Sequence, residues 1–247
     1  MPPRVVVIGL ASDYGCQVQI TNTEDHLLDV LGTIDLSYWQ LALSGHLPKE
    51  YDIAIIEGSV TTGDHAELLK SIRTTAPTVI AIGACAVSGG IPGIACQGVH
   101  EDHLARVYDG AKVPAGSGGL FPAPVSSVIN IDYQVPGCPI QPDEFIAVLQ
   151  RAMMGLANRP PREPLCAQCK ISENACFFEN GSACLGLVTR TGCGALCVSL
   201  GKPCAGCRGI ADDANLAAAR EVFSANGINS NTLDSMLALY NSASESR

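Results

Sequence analysis

Eight of the chain's twelve cysteines crowd between residues 166 and 207, and no other feature restricts the fold so severely. The segment that carries them, "CAQCKISENACFFENGSACLGLVTRTGCGALCVSLGKPCAGC", has too little apolar content to form a core of its own. Something other than hydrophobic burial must order it. The counts between consecutive cysteines are 2, 6, 7, 8, 3, 6 and 2, a nearly palindromic series that divides the stretch into two related halves. A secreted chain could pair twelve cysteines as six disulfides. Here "MPPRVVVIGL" enters an apolar run at once with no room for a signal peptide, so a cytoplasmic chain with metal-bound thiolates is expected.

Eight thiolates in two halves suit two four-iron clusters with four ligands each. In two-cluster ferredoxins one cysteine of each half serves the other cluster, so spacing alone leaves the partition of Cys166, Cys169, Cys176, Cys184, Cys193, Cys197, Cys204 and Cys207 open. The competing chemistry is a pair of structural zinc ribbons, since C-x-x-C stands at each end. Against zinc, the inner spacings are short and aromatic knuckle residues are scarce.

Residues 1–157 have a different pattern. "RVVVIGL" (4–10), "YDIAIIEG" (51–58) and "TVIAIGAC" (78–85) are dense in Val and Ile, as strands buried on both faces should be, and "SSVINIDYQVPGC" (126–138) predicts a further strand and exit loop. Between them lie helical patterns: "TEDHLLDVLG", with Leu27, Leu28 and Leu31 on one side, and "DHAELLKSIR", with Leu68, Leu69 and Ile72. "QPDEFIAVLQRAMMGLAN" (141–158) is a capped helix that closes the unit. The prediction is an α/β fold with a parallel sheet domain over 1–157. "NRPPREP" then forms a stiff linker into a small iron–sulfur domain over 158–211. Residues 212–247 return to helical patterns, with Asp212 and Ser230 as expected N-caps.

The remaining cysteines fall at informative places. Cys16 follows the first strand, Cys85 ends the third and Cys138 ends the last. Open parallel sheets gather side chains from distant segments outside the carboxyl ends of their strands, so these three thiols are expected to share one site. Glycines in "GACAVSGG" and "PGCP" let backbone approach a bulky inorganic cluster. A fourth ligand is open between Cys96, Asp13 and water. Asp13 is favoured because it stands three residues before Cys16, the spacing that C-x-x-C uses, and a carboxylate also binds iron.

The net charge of −9, without Lys/Arg clusters, disfavours nucleic acid and anionic membrane surfaces, and a protein partner is expected. No apolar run approaches a membrane span. Glu57 ends a strand beside the expected site, where it orients the site or caps a turn. His100 and His103 have metal-pair spacing but read as a solvated helix face, and Arg190 and Arg208 flank cluster cysteines, where they raise a potential by their charge or, as the commoner reading, form surface salt bridges.

With "YGCQVQI", "IIEGSV", "GACAVSGGIP", "GCPIQPDEF", "CAQC", "CLGLVTRTGCGALC" and "PCAGCRG" in order along nearly the whole chain, the sequence resembles the electron-transferring small subunit of soluble, cytoplasmic nickel–iron hydrogenases. It is similar in particular to the sulfhydrogenase delta subunit and the deazaflavin-reducing hydrogenase gamma subunit. The resemblance implies a flavodoxin-like domain with a proximal cluster, a ferredoxin-like domain with medial and distal clusters, and thus three 4Fe–4S clusters. It also implies a hydrogenase large subunit holding the nickel–iron centre, a flavin-bearing acceptor subunit, and no catalytic acid, base or nickel ligand in this chain. The family pattern has cysteine where Asp13 stands. A quinone-reductase-type subunit shares the first domain but carries paired adjacent cysteines near the first strand and lacks the eight-cysteine segment.

Metal analysis of the purified complex separates these chemistries. We expect about twelve irons, with matching acid-labile sulfide, attributable to this chain; zinc in their place would overturn the assignment.

Overall fold

In a computed structural model, which describes residues 1–23, 26–97, 102, 106 and 119–243, the first part of the chain is a five-stranded sheet. Its strands are β1 (Arg4–Gly9), β2 (Asp35–Trp39), β3 (Ile53–Glu57), β5 (Thr78–Ile82) and β7 (Tyr133–Val135). They lie in the order β2-β1-β3-β5-β7, and every pairing is parallel. From β1 the chain reaches β2 on one side and β3 on the other, which opens a crevice at the carboxyl edge between β1 and β3.

The period-2 alternation of the strands builds two cores. Val5, Val7, Ile53, Ile55, Ile80 and Ile82 face one way, with Ile20 of helix α1 (Gly15–Thr21) and Phe145 and Leu149 of helix α5 (Pro142–Met153). Val6, Ile8, Ala54, Ile56, Val79 and Ala81 face the other, against Leu69 and Ile72 of helix α3 (Gly63–Thr75). Both faces are covered, so the strands are near-continuous apolar runs. Thr62 caps α3 by accepting a hydrogen bond from the His65 N–H.

Two elements differ from the sequence expectation. Helix α2 spans Leu27–Thr33, not 23–32, and Leu28 is 78% exposed, because Val30 and Ile34 supply the contacts to the core. Strand β2, "DLSYW", carries few fully buried residues and lies at the sheet edge, which is why its pattern did not announce a strand. A further antiparallel pair, β4 (Val60–Thr62) with β6 (Gly119–Ala123), was likewise not foreseen.

Beyond the linker, the helices α6 (Cys166–Ile171), α7 (Leu196–Ser199), α8 (Leu216–Ala225) and α9 (Ser230–Asn241) are joined by turns. Leu165, Leu185, Val188 and Val198 pack with Ala219, Phe223 and Leu233 in one core, so the C-terminal helices supply the apolar surface that the cysteine-rich stretch lacks. Phe178 meets Phe223 edge to face at 5.4 Å. Asp212 and Ser230 are not the helix caps. Asn215 caps α8 through the Ala218 N–H, Asn229 caps α9 through the Asn231 N–H, and Asp212 pairs with Arg190 at 3.0 Å. Among the described residues no helix is long and apolar enough to cross a membrane.

Leu69 is fully buried on α3. Leu69→Ala is expected to cost about 2–5 kcal/mol, while the exposed Leu28→Ala stays within about 0.5 kcal/mol of wild type. Denaturant unfolding followed through Trp39, the single tryptophan, measures both.

Candidate metal centre

The carboxyl edge of the sheet opens into a cavity of about 510 Å³, and Asp13, Cys16, Cys85 and Cys138 line it together with Glu57. These five residues arrive from four strand ends, with Asp13 and Cys16 sharing one. Cys16 lies in the first turn of α1 after β1, Glu57 ends β3, Cys85 lies in helix α4 (Gly83–Ser88) after β5, and Cys138 follows β7. Backbone bonds tie these ends together: Leu10 N–H to Glu57 O at 2.7 Å, and Ala84 N–H to Gly137 O at 2.7 Å.

The turn between β1 and α1 is built by short-range polar contacts. Tyr14 adopts the left-handed region at φ 61°, uncommon for a residue with a side chain and concentrated at functional sites. Asp13 Oδ1 accepts the Gly15 N–H at 2.9 Å, which holds its carboxylate in the same turn as Cys16. The Cys16 N–H donates to Glu57 Oε1 at 2.9 Å, so Glu57 caps the start of α1 and orients the ligand turn at once. Buried Gln17 accepts from Trp39 Nε1 at 2.7 Å and fixes the helix from its other side.

The electrostatics of the cavity disfavour a set of bare thiolates. Burial, followed by the Glu57 charge, pushes the Cys16 thiol far above its ordinary value. Cys85 is pushed up to about 11 by burial, with Cys138, Asp13 and Glu57 adding to it, and Cys138 is raised by burial and by Asp13. Burial also raises the Glu57 carboxyl, against the hydrogen bond from Cys16. A positively charged iron core held by Cys16, Cys85 and Cys138 would remove both penalties, because it would replace the protons and neutralise the mutual repulsion.

The shape also fits such a group. Gly83 has φ +82°, and a Cβ there would stand 2.5 Å from Cys16 Sγ, inside the space that the thiol faces. Among the described residues no three His, Cys, Asp or Glu side chains close on a point that one metal ion would occupy. Zinc, at a Zn–S distance of about 2.3 Å, draws its sulfurs to within roughly 4 Å of one another. The cavity of about 510 Å³ that these groups line has room for a larger, polynuclear group.

Cys96 does not line this cavity. It sits in a 3₁₀ segment (Ile91–Gln97) and its thiol donates to Pro122 O at 3.3 Å. His100 and His103 lie outside the described residues.

Seven of the eight later cysteines sort into two neighbourhoods, with Cys204 between them. Cys166 is pushed up to about 11 by burial and then by Cys184, Cys169 and Cys176, and Cys169 is raised by burial, Cys184 and Cys176. Cys207 is pushed up to about 11 by burial and then by Cys193, Cys197 and Cys138, while the Cys138 backbone hydrogen-bonds to its thiol. Cys204, pushed up to about 12 mainly by burial, stands between the two, with its N–H donating to Cys184 Sγ at 3.3 Å and its thiol raised further by Cys184 and Cys207. Gln168, inside the first C-x-x-C, accepts the N–H groups of Gly192 and Gly194 at 3.0 and 2.9 Å and locks one neighbourhood to the other. Sequence reading assigned Arg208 to the surface, whereas it is 1% exposed. Nothing in its local pattern marks a buried guanidinium, because its partners are far away in sequence.

Comparison with known proteins gives matches over the same segments. The family described as NADH ubiquinone oxidoreductase, 20 kDa subunit, matches residues 14–152. Sulfhydrogenase 2 subunit delta of Pyrococcus furiosus is 32% identical over 221 residues, which cover 89% of this chain and 92% of that protein. One subunit of the F420-non-reducing hydrogenase vhu of Methanococcus voltae is 30% identical over 240 residues, covering 85% of this chain and 83% of that one. Among solved structures, a chain of an NAD+-reducing NiFe hydrogenase in the H2-reduced state superposes with a TM-score of 0.56 at 25% identity, over 65% of this chain and 96% of its own.

Gly83→Ala places a Cβ against Cys16 Sγ at a positive φ. We expect a loss of about 1–3 kcal/mol of stability and of the iron retained on purification. Gly63→Ala, whose Cβ meets nothing within 4 Å, should change neither, and iron analysis with thermal unfolding reads the difference.

Proposed function

This chain belongs to the NADH ubiquinone oxidoreductase 20 kDa-subunit family as a small subunit of the nickel–iron hydrogenase kind with an electron-transfer role, and we propose that it carries electrons through three 4Fe–4S clusters. In this reading Asp13, Cys16, Cys85 and Cys138 hold the proximal cluster. Cys193, Cys197, Cys204 and Cys207 hold the medial one, and Cys166, Cys169, Cys176 and Cys184 the distal one.

One observation carries the reading: thiols near enough to act on one another's charge follow one another from Cys138 at the sheet edge into the cysteine-rich region. Cys138 acts on Cys207, Cys207 is in the field of Cys193 and Cys197, Cys197 is in the field of Cys184, and Cys184 acts on Cys166 and Cys169. Bound clusters supply one-electron chemistry, with potentials set by charge, hydrogen bonds to sulfur and exposure. The residues of this chain supply the rest. Glu57 and Tyr14 hold the Cys16 turn, glycine backbone gives the cavity its room, and the shared core fixes the later cysteines. The cavity has a volume of about 510 Å³, and no three-residue single-ion site is found among the described residues, which supports a polynuclear group over zinc.

The two ends of the line differ in their surroundings. The proximal cavity lies at the open edge of the sheet, where a hydrogenase large subunit with the nickel–iron centre would cover it and exclude water. At the other end Cys166 is exposed on the helix that ends at Ile171, itself 82% exposed, and the bond from Asn174 to Ser199 at 3.0 Å joins this segment to the one that carries Leu200 at 71% exposure. We assign this apolar end to a flavin-bearing acceptor subunit.

The fourth proximal ligand tests the reading at its weakest-donor position. Asp13→Cys is expected to keep a four-iron cluster with a lower reduction potential, because thiolate donates more electron density than carboxylate and favours the oxidised state. Asp13→Ala should release one iron and give a three-iron signal, and Cys96→Ser should leave the spectrum unchanged. Electron resonance with potentiometry on the purified complex decides; a three-iron signal from Cys96→Ser with a silent Asp13→Ala would reverse the assignment.

A further inference from the structure

Arg208 follows Cys207 directly and is the largest fully buried side chain in the described structure. Its Nε donates to Thr191 O at 3.0 Å, and its Nη1 donates to Pro136 O at 2.8 Å and to Glu144 Oε2 at 2.7 Å. Its Nη2 donates to Glu144 Oε1 at 2.7 Å, which completes a two-pronged pair with a carboxylate in the first turn of α5. Each backbone partner stands two residues before a ligand cysteine: Pro136 before Cys138, and Thr191 before Cys193. One guanidinium therefore ties together the loops that carry Cys138, Cys193 and Cys207.

The surroundings are shaped for it. Gly192 has φ +123°, and a Cβ there would overlap Arg208 Nη2 and stand 3.1 Å from Glu144 Oε1. A buried guanidinium without a partner is costly, and a hydrophobic side chain could fill such a space with no charge to offset. A planar fork of donors is needed only if several acceptors must be held in fixed directions, which lysine cannot do. The pair also places opposite charges together within the junction between two ligand sets, so their net effect on either set is small while both are present.

We propose that Arg208 is a positioning residue that sets the relation between the Cys138 ligand loop and the Cys193–Cys207 ligand set, and that Glu144 offsets the guanidinium charge so that the pair shifts the potential of neither flanking cluster. The proposal rests on the cluster reading above. For each electron passed, the group on the Cys138 side is oxidised by one equivalent and the group on the Cys207 side is reduced by one. Arg208 and Glu144 undergo no net change.

The test uses the assembled hydrogenase complex with the wild-type chain, Glu144→Gln or Arg208→Lys, with iron counted and each cluster's midpoint and spin interaction followed by electron resonance. Iron and three cluster signals in the wild type report on the cluster reading itself, and differences between the variants and wild type report on Arg208. Glu144→Gln keeps the shape but leaves the guanidinium uncompensated. It should retain wild-type iron and raise the potential of the clusters flanking the junction, so that their reduced-to-oxidised ratio at the wild-type midpoint rises roughly ten-fold. Arg208→Lys keeps the charge and loses the fork, so midpoints should stay near wild type while the magnetic interaction between the two neighbouring clusters weakens. Unchanged midpoints in a fully loaded Glu144→Gln, or a wild-type spin interaction in Arg208→Lys, overturns the proposal. Loss of iron from both variants beside a loaded wild type also overturns it, since the pair would then serve only to hold the fold.

Discussion

Ligand groups that repel one another and resist burial are held at one sheet edge by hydrogen bonds and packing elsewhere in the chain. Every thiol around the proximal cavity is pushed upward by desolvation and by its neighbours. The arrangement cannot owe its stability to contacts among the ligands themselves. It stands on the sheet, where all-parallel pairing and two apolar faces fix four strand ends, and on the lateral bonds between Leu10 and Glu57 and between Ala84 and Gly137. The site is strained at Tyr14, and the buried Glu57 carboxylate is committed to holding that same turn. Energy stored there is offset by burial in the two cores.

The second region solves the opposite problem. Its ligands are dense and its apolar residues few, so it takes Phe223 and Leu233 from the C-terminal helices and shares one core with them. Helix α9 also reaches back to the sheet region, where Ser88 Oγ donates to Tyr240 O at 2.8 Å and Gln97 Nε2 donates to Ser242 Oγ at 2.9 Å. Together with Arg208 and Glu144, these contacts span the junction between the two ligand regions. A conductor of electrons needs fixed separations more than it needs a flexible site, and the Arg208–Glu144 pair at this junction is charge-assisted and largely buried.

Much of this was legible in the chain as written. The Val/Ile runs predicted the parallel strands, the positions of Cys16, Cys85 and Cys138 predicted convergence at one edge, and the spacing of Asp13 from Cys16 put both in a single turn. These are local or periodic signals, and the general rule for open sheets carries them into three dimensions. The edge strand β2 and the β4–β6 pair were not legible, because short, partly exposed strands lack alternation. The caps Asn215 and Asn229 lay beside Asp212 and Ser230, residues of equal capping propensity, so only backbone geometry could choose among them.

Sequence by itself determined the chemistry available to this chain: the number of thiols, the division into a scattered set and a crowded set, and a carboxylate, Asp13, three residues before Cys16. It did so because ligand type and short spacing are properties of the covalent chain. Only the tertiary structure decided which ligands meet. It set Cys96 against Pro122 and away from the cavity, gathered the crowded cysteines into two neighbourhoods with Cys204 between them, and buried Arg208 against Glu144 across the junction. Those outcomes depend on contacts between residues far apart in sequence, where burial and charge pairing act through space and leave no periodic trace in the chain.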